Sequence, residues 1–261
     1  MISVSLKVGD PALECASKKQ RKESCVIPEP AEGALIASLP SSAGAPGLRP
    51  MAPRGWWCPL LHKRIGAPLP RPNPPWFNDP ACGAVRNGTQ VGLTCGIFAV
   101  NHCLARHGLP LTPLQDFRLR AGDGCYPEGD FDDCGMQRNL EARCCFFEQM
   151  QGSDYEEAVR QLNSEGLLGI FHGSHALGCI IHMPNPRHWF ALVPPVQQLQ
   201  VEVAALLCDS LRPQIYSLSV DDMVDLFTTM GLRHAQYADL ALPTQVREEL
   251  AAGWSAYKVT R

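Results

Sequence analysis

Four residues in this 261-residue chain have the types and the order needed for acyl transfer through sulfur: Gln90, Cys95, His188 and Asp209. Cys95 follows the turn residues Asn87-Gly88 and Gly92, and an apolar pattern at helical spacing begins with it. Unpaired N–H groups at a helix start carry partial positive charge and favour the thiolate, the nucleophilic form. Thiolate attack on a carbonyl makes an oxyanion. The amide of Gln90, five residues upstream, together with the Cys95 backbone N–H, is suited to stabilise it. His188 opens the apolar run His188-Trp-Phe-Ala-Leu-Val after Pro184-Asn-Pro186 and is the general-base candidate. Asp209 ends the run Val203-Ala-Ala-Leu-Leu-Cys, where a carboxylate beside the histidine strand would fix the imidazole tautomer. Glu202, at the other end of that run, is the alternative acid. Singly, each residue has an ordinary structural reading: cysteine at a helix start is usually buried packing, and aspartate before a turn is usually turn chemistry.

Positioning these groups requires particular elements. Residues 95–107 read as a helix stopped at Gly108, and Thr112-Pro113 opens a short helix with proline at its first position. Residues 134–145 read as a third helix, with Asp130, Asp132 and Asp133 as capping acids before it rather than a calcium loop. Phe146–Met150 reads as a strand. Ser153 is placed as the cap of a helix running to Gly166. Strand-like runs follow at 167–171, 179–183, 188–193 and 203–208, and Ser219-Val-Asp-Asp222 opens a helix carrying Met223, Leu226, Phe227 and Met230. Helices first and adjacent strands later predict an α+β fold with a mostly antiparallel sheet.

Fourteen of the 23 prolines fall in residues 1–80, which predicts a disordered, Pro-rich tail over 1–78, a catalytic domain over 79–235 and an extension over 236–261. The formal net charge of −3 gives no bulk attraction to nucleic acid or to an acidic membrane surface. No apolar run approaches the roughly 20 residues that span a bilayer, and the N-terminus does not read as a secretory signal. The twelve cysteines are scattered and include no C-x-x-C pair, so most are expected as buried thiols in a reducing compartment, without a metal site or cofactor. The expected location is cytoplasmic. The basic run Lys18-Lys-Gln-Arg-Lys22 reads as a solvated charge cluster, with a nuclear address as the alternative. His172, His175 and His182 read as a loop or a substrate-gating flap and not as metal ligands.

The order Gln, Cys, His-Trp, Asp-Ser is that of papain-type cysteine peptidases, and the local words narrow it. Cys95-Gly-Ile-Phe-Ala-Val-Asn101-His102 resembles the Cys-Ala-x-His-Ala-Leu-Asn-Asn helix of the Josephin family of deubiquitinases. Gly129-Asp-Phe-Asp-Asp resembles that family's Gly-Asn-Tyr/Met-Asp segment, His188-Trp-Phe its His-Trp word, and Asp209-Ser-Leu-Arg-Pro its Asn/Asp-Ser word. The resemblance spans roughly residues 85–232. It implies a papain-like α+β fold and thiol-dependent cleavage of peptide or isopeptide bonds at the ubiquitin C-terminus through a thioester, without a metal. Cys95 would be the nucleophile, His188 the base, Asp209 its orienter and Gln90 the oxyanion donor. The implied partner is ubiquitin or polyubiquitin conjugates, met by a monomer. Other readings are a non-catalytic ubiquitin-binding module and a peptidase for a ubiquitin-like modifier. Phe98 and His102 depart from the family's residues, Pro194-Pro-Val-Gln-Gln-Leu-Gln is a longer insert than usual, and the last strand falls to Tyr237–Leu242 or Trp254–Val259.

Overall fold

The runs around His188 and Asp209 are continuously apolar instead of alternating, as strands covered on both faces must be. The computed structural model describes residues 55–70, 72–126, 130–166, 171, 175–184, 187–195, 203–234 and 253–261, the side chains of 232–234 excepted. In chain order the elements are β1 (Trp56–Cys58), β2 (Lys63–Ile65), β3 (Ala67–Pro68), β4 (Val85–Arg86), β5 (Thr89–Gln90), α1 (Cys95–Arg106), α2 (Leu114–Ala121), α3 (Asp133–Glu141), β6 (Phe146–Gln149), α4 (Gly152–Glu165), β7 (Ala176–Pro184), β8 (Arg187–Val193), β9 (Val203–Cys208), β10 (Tyr216–Ser219), α5 (Val220–His234) and β11 (Ser255–Thr260).

Seven strands form one sheet in the order β3-β10-β9-β8-β7-β11-β6, and every pairing in it is antiparallel. The α+β expectation therefore holds. The strand period of two sends alternate side chains into two separate cores. Trp189, Ala191 and Val193 of β8 pack with α1, α2 and α3 on one face. Phe190 and Leu192 pack with α4, α5 and the β1–β2 hairpin on the other. Both flanks of β8 are thus dry, and its central position makes it the rigid base on which His188 is mounted.

The described residues move the expected tail boundary. Residues 55–70 and 72–78, assigned to a disordered tail, belong to the fold: β1 pairs with β2, β3 joins the main sheet, and Leu69 N–H donates to the Ile215 carbonyl. Trp56, Cys58, Ile65 and Phe77 are buried. Proline content averaged over 80 residues hid a few large apolar side chains, and these outweigh the local composition once a sheet edge is available to them. Gly66, at φ +68, makes the turn from β2 to β3 where a Cβ would lie 2.7 Å from the Ser217 carbonyl. The remainder of the expected tail, residues 1–54, lies outside the described residues.

Several boundaries shift by a turn. Pro113 is the N-cap of α2 and not its first residue. Gln151 caps α4, with Asp154 closing a capping box, so Ser153 is already helical. α3 ends at Glu141, and residues 142–144 turn back toward β6. The Ser219 cap stands as expected: its hydroxyl accepts from Asp222 N–H, and the Asp222 carboxylate accepts from Ser219 N–H. The last strand is supplied by Ser255–Thr260, between β7 and β6. The strand expected at 167–171 falls almost wholly outside the described residues, as does Tyr237–Leu242.

Candidate active site

Cys95, His188 and Asp209 come together at one end of the central strands. Ala191 pairs with Cys208, so continuing the antiparallel register sets Asp209 opposite Phe190, on the face His188 shares. From that diagonal position an Asp209 carboxylate oxygen lies 2.8 Å from His188 Nε2. The carboxylate can only accept, so Nε2 carries the proton. The Cys95 thiol also acts on this imidazole and favours its charged form, which leaves Nδ1 as the nitrogen for the thiol. Cys95 is the first residue of α1, and α1 packs on β8 and β7. The register thus brings together the thiol from one face of the sheet and the imidazole–carboxylate pair from its end. Glu202, the alternative acid, lies outside the described residues; Asp209 is the acid that meets His188.

Asp209 is held by more than the histidine. Leu211 N–H donates to it at 2.9 Å, and the indole N–H of Trp56 donates at 2.7 Å. Arg212 Nε stands 3.7 Å from the same oxygen that Trp56 engages. Burial pushes the Asp209 carboxyl up, but the bonds from His188, Trp56 and Leu211 outweigh it and hold the group below its ordinary value. For His188, burial disfavours the imidazolium, yet the hydrogen bonds to Asp209 and Cys95 prevail and raise it to about 10. Through neutral pH this favours an imidazolium paired with the Asp209 carboxylate.

Trp56 escaped the sequence reading because it sits in the proline-rich stretch. A usable signal was present: a Trp-Trp-Cys word beside a glycine is out of place in a solvated tail, and a buried indole N–H needs an acceptor. Trp56 also packs its ring on Phe190, centroids 5.1 Å apart, so one side chain supports both the strand and the carboxylate.

Gln90 closes β5 and is buried. Its carbonyl oxygen accepts from the Ser210 hydroxyl at 2.5 Å, which fixes the amide orientation, and its NH₂ donates to the Gly92 carbonyl at 2.9 Å. The NH₂ has two hydrogens, so one remains for a ligand. Gln90 N–H also donates to the Ser210 carbonyl, and Asn78 Nδ2 donates to Gly88, Ser210 and Arg212 carbonyls. The loop bearing Gln90 is thereby bound to the loop after Asp209. At the start of α1, Thr94 makes no side-chain cap, leaving the first N–H groups of the helix without that acceptor. Gly96 lies close to α3 and the Phe131 segment: a Cβ there would meet Met136 Sδ at 2.9 Å.

Cys95, His188 and Asp209 are 2%, 3% and 3% exposed, so a reactant could reach them only by a narrow approach. The other departures sort into packing. Phe98 is fully buried in the core beneath α1. His102 stacks on Phe77 at 5.1 Å, and neither ring nitrogen reaches a partner at hydrogen-bonding geometry. Burial pushes His102 down to about 3, outweighing the opposing pull of Asp209 and the nearby Cys208 carbonyl, so it packs as a neutral aromatic ring. His182 lies in β7 against Trp189, centroids 4.3 Å apart, while His172 is outside the described residues.

None of the ten described cysteines is in a disulfide, and most are buried as expected, although Cys125 and Cys134 are half-buried and Cys144 is exposed. Burial raises the thiols of Cys58 to about 11 and of Cys82 and Cys179 to about 12. Asp132 caps α3 through Gly135 N–H, as expected of that acidic group. Asp130 departs from the expectation: it accepts from Phe131 N–H and lines a cleft instead of capping a helix. Among the described residues, no helix is long and apolar enough to cross a membrane. No protein-family model matches the chain, and no curated protein matches it either.

Proposed function

We propose that the chain is a cysteine-dependent hydrolase of papain-like architecture that cleaves peptide or isopeptide bonds at the C-terminus of ubiquitin. The observation that carries this reading is the convergence of Cys95 and Asp209 on the His188 imidazole, with the His188–Asp209 hydrogen bond at 2.8 Å and the Gln90 amide anchored beside the loop that follows Asp209. The ubiquitin assignment rests on the four Josephin-like words in their order, Cys95–His102, Gly129–Asp133, His188–Phe190 and Asp209–Pro213.

In the proposed reaction the Cys95 thiolate attacks the scissile carbonyl. The free N–H of Gln90 and the backbone N–H of Cys95 receive the oxyanion. His188 protonates the departing amine, leaving a thioester, and then deprotonates the water that hydrolyses it. Asp209 keeps Nε2 protonated throughout, so Nδ1 is the nitrogen that exchanges protons. A ubiquitin derivative with a C-terminal electrophile tests the reading. It is expected to label Cys95 alone in the full chain and to leave Cys95→Ala unmodified. Labelling at another thiol rejects the site, and binding without labelling of the unmutated chain favours the non-catalytic module.

A further inference from the structure

The side-chain amide of Asn78 meets three carbonyls from two loops. Its Nδ2 donates at 2.7 Å to the Gly88 carbonyl, two residues before Gln90. It donates at 3.2 and 3.1 Å to the Ser210 and Arg212 carbonyls, just after Asp209. Two hydrogens serve three acceptors, so one is shared. Turning the amide over would set Oδ1 against three carbonyl oxygens, and its orientation is thereby fixed. Asn78 is 5% exposed.

Two unfavourable features meet at this residue. Its backbone is left-handed, at φ +53, a region that asparagine tolerates better than most side chains. Its Oδ1 is buried without a hydrogen-bond partner among the described residues, and a buried orphan acceptor is destabilising. A residue held this way persists only where its surroundings enforce it, and such residues cluster at functional sites. The neighbours of Asn78 supply the enforcement. Phe77 is buried and stacks on His102 of α1, the helix that begins at Cys95. Asp79 caps the 3-10 turn Pro80–Cys82 through Ala81 N–H. Leu69 N–H donates to the Ile215 carbonyl, and Asn73 Nδ2 donates to the Pro213 carbonyl at 2.8 Å. The chain from 69 to 78 is thus fastened along 210–215. Asn78 stands where the Cys95 helix, the Gln90 loop and the loop after Asp209 meet.

Asp209 and Gln90 do not depend on it equally. The Asp209 carboxylate is held directly by His188, Trp56 and Leu211. The Gln90 amide is oriented by the Ser210 hydroxyl, and Gln90 N–H donates to the Ser210 carbonyl. Asn78 fixes both the peptide of Ser210 and the Gly88 carbonyl on the approach to Gln90. Without its amide, both supports of Gln90 loosen together.

We propose that Asn78 is a positioning residue: it sets the Gln90 amide beside the start of α1 and acts on the oxyanion through Gln90 alone. Its part in hydrolysis rests on the hydrolase reading; its hold on Gln90 does not.

Asn78→Gly in the full chain removes the amide and relieves the left-handed backbone. With a ubiquitin–fluorophore substrate, kcat is expected to fall about tenfold with KM nearly unchanged, as for an interaction felt in the transition state. In a Gln90→Ala background the same substitution should lower kcat by about twofold or less, because the group it positions is gone. The alkaline limb of kcat/KM should stay in place. Asn73→Ala, which loses a bond to Pro213 and none to the Gln90 loop, should leave kcat nearly unchanged. Hydrogen exchange gives a readout independent of turnover. Gln90 N–H should exchange at least about tenfold faster in Asn78→Gly, while the amides of β8 keep their protection. Should the glycine variant not fold, Asn78→Ser, whose hydroxyl donates to one carbonyl only, is put through the same measurements. An undiminished loss in the Gln90→Ala background, a shifted alkaline limb, an equal loss in Asn73→Ala, or unchanged exchange at Gln90 overturns the proposal. Faster exchange at Gln90 in a chain that does not hydrolyse the ubiquitin substrate would leave the hold of Asn78 on Gln90 standing while rejecting the hydrolase reading.

Discussion

The indole of Trp56 and the carboxylate of Asp209, 153 residues apart in sequence, share a buried 2.7 Å hydrogen bond. That bond engages the carboxylate oxygen that His188 does not use. It makes the first strand of the fold part of the proposed catalytic constellation, because rotation of the carboxylate away from the imidazole would break two charge-assisted bonds at once. Trp56→Phe keeps a ring against Phe190 and removes only the donor. The expected outcome is a loss of about 1–3 kcal/mol in stability from the unpaired buried acceptor. Hydrolysis of a ubiquitin–fluorophore substrate should fall about tenfold or more in kcat with little change in KM, as for an interaction that matters in the transition state. Chemical denaturation and steady-state kinetics on the same variant check both parts, and a change in KM alone would reduce Trp56 to a packing residue.

The charge state of the triad predicts a broad pH profile. His188 is raised to about 10 from an ordinary value of 6.5, so the stability it contributes is complete below 6.5 and is lost as pH rises through about 10. Asp209 is held below its ordinary 3.8, so its contribution is present above that value and is lost as pH falls through the lowered one. Activity that needs the imidazolium should therefore keep a plateau through neutral pH and fall on an alkaline limb near pH 10. Asp209→Asn should move that limb toward neutrality. It should also lower kcat by about 10²-fold, less than the ~10⁴ lost where an amide imposes the wrong tautomer, because the Asn oxygen can still accept from Nε2. A profile of kcat/KM against pH for both chains decides the matter.

Much of this is legible in the sequence, and the divide between what is and what is not follows sequence separation. Cys95, His188 and Asp209 were readable because each sits at the end of a strongly patterned element, where a boundary and a polar residue coincide. The antiparallel sheet was readable from clustered apolar runs. Trp56 was not, because its role depends on a pairing across 153 residues that no local pattern encodes. Nor was the anchoring of Gln90 by Ser210, which joins two loops 120 residues apart. Asp130 looked like its neighbours Asp132 and Asp133 in sequence, yet of the three it alone is buried.

Gln90 and Ser210 form the next testable pair. Gln90→Ala deletes the proposed oxyanion donor and should lower kcat by about 10²–10³-fold, the usual loss for one such donor, with KM nearly unchanged. Ser210→Ala leaves the amide present but removes the bond that fixes its orientation, so a smaller loss is expected, about three- to tenfold. In a double variant the two effects should not add, since Ser210 acts only through Gln90. Additive losses would show that Ser210 contributes by another route.

Where the folded unit begins gives the last prediction. Proline content places the boundary at residue 79, but Trp56, Cys58, Ile65 and Phe77 all bury their side chains ahead of it. Ile65 is 1% exposed in the core shared with Leu218, Phe190 and α5, and the hairpin is further tied to α5 by the ion pair of Lys63 with Asp225. That pair is half-exposed and contributes little; the buried side chains are what matter. Truncating one such aliphatic residue to alanine typically costs about 2–5 kcal/mol, a large share of the total stability of a domain, about 5–15 kcal/mol. Ile65→Ala should therefore remain folded with a clearly lowered denaturation midpoint. A chain starting at residue 79 loses several of these side chains together, along with β3 at the sheet edge and the Trp56 bond to Asp209, and is expected to lack a cooperative unfolding transition. Thermal melts of the full chain, Ile65→Ala and the truncated chain check this ordering. A cooperative, active chain beginning at residue 79 would mean that Asp209 holds His188 without the N-terminal strands.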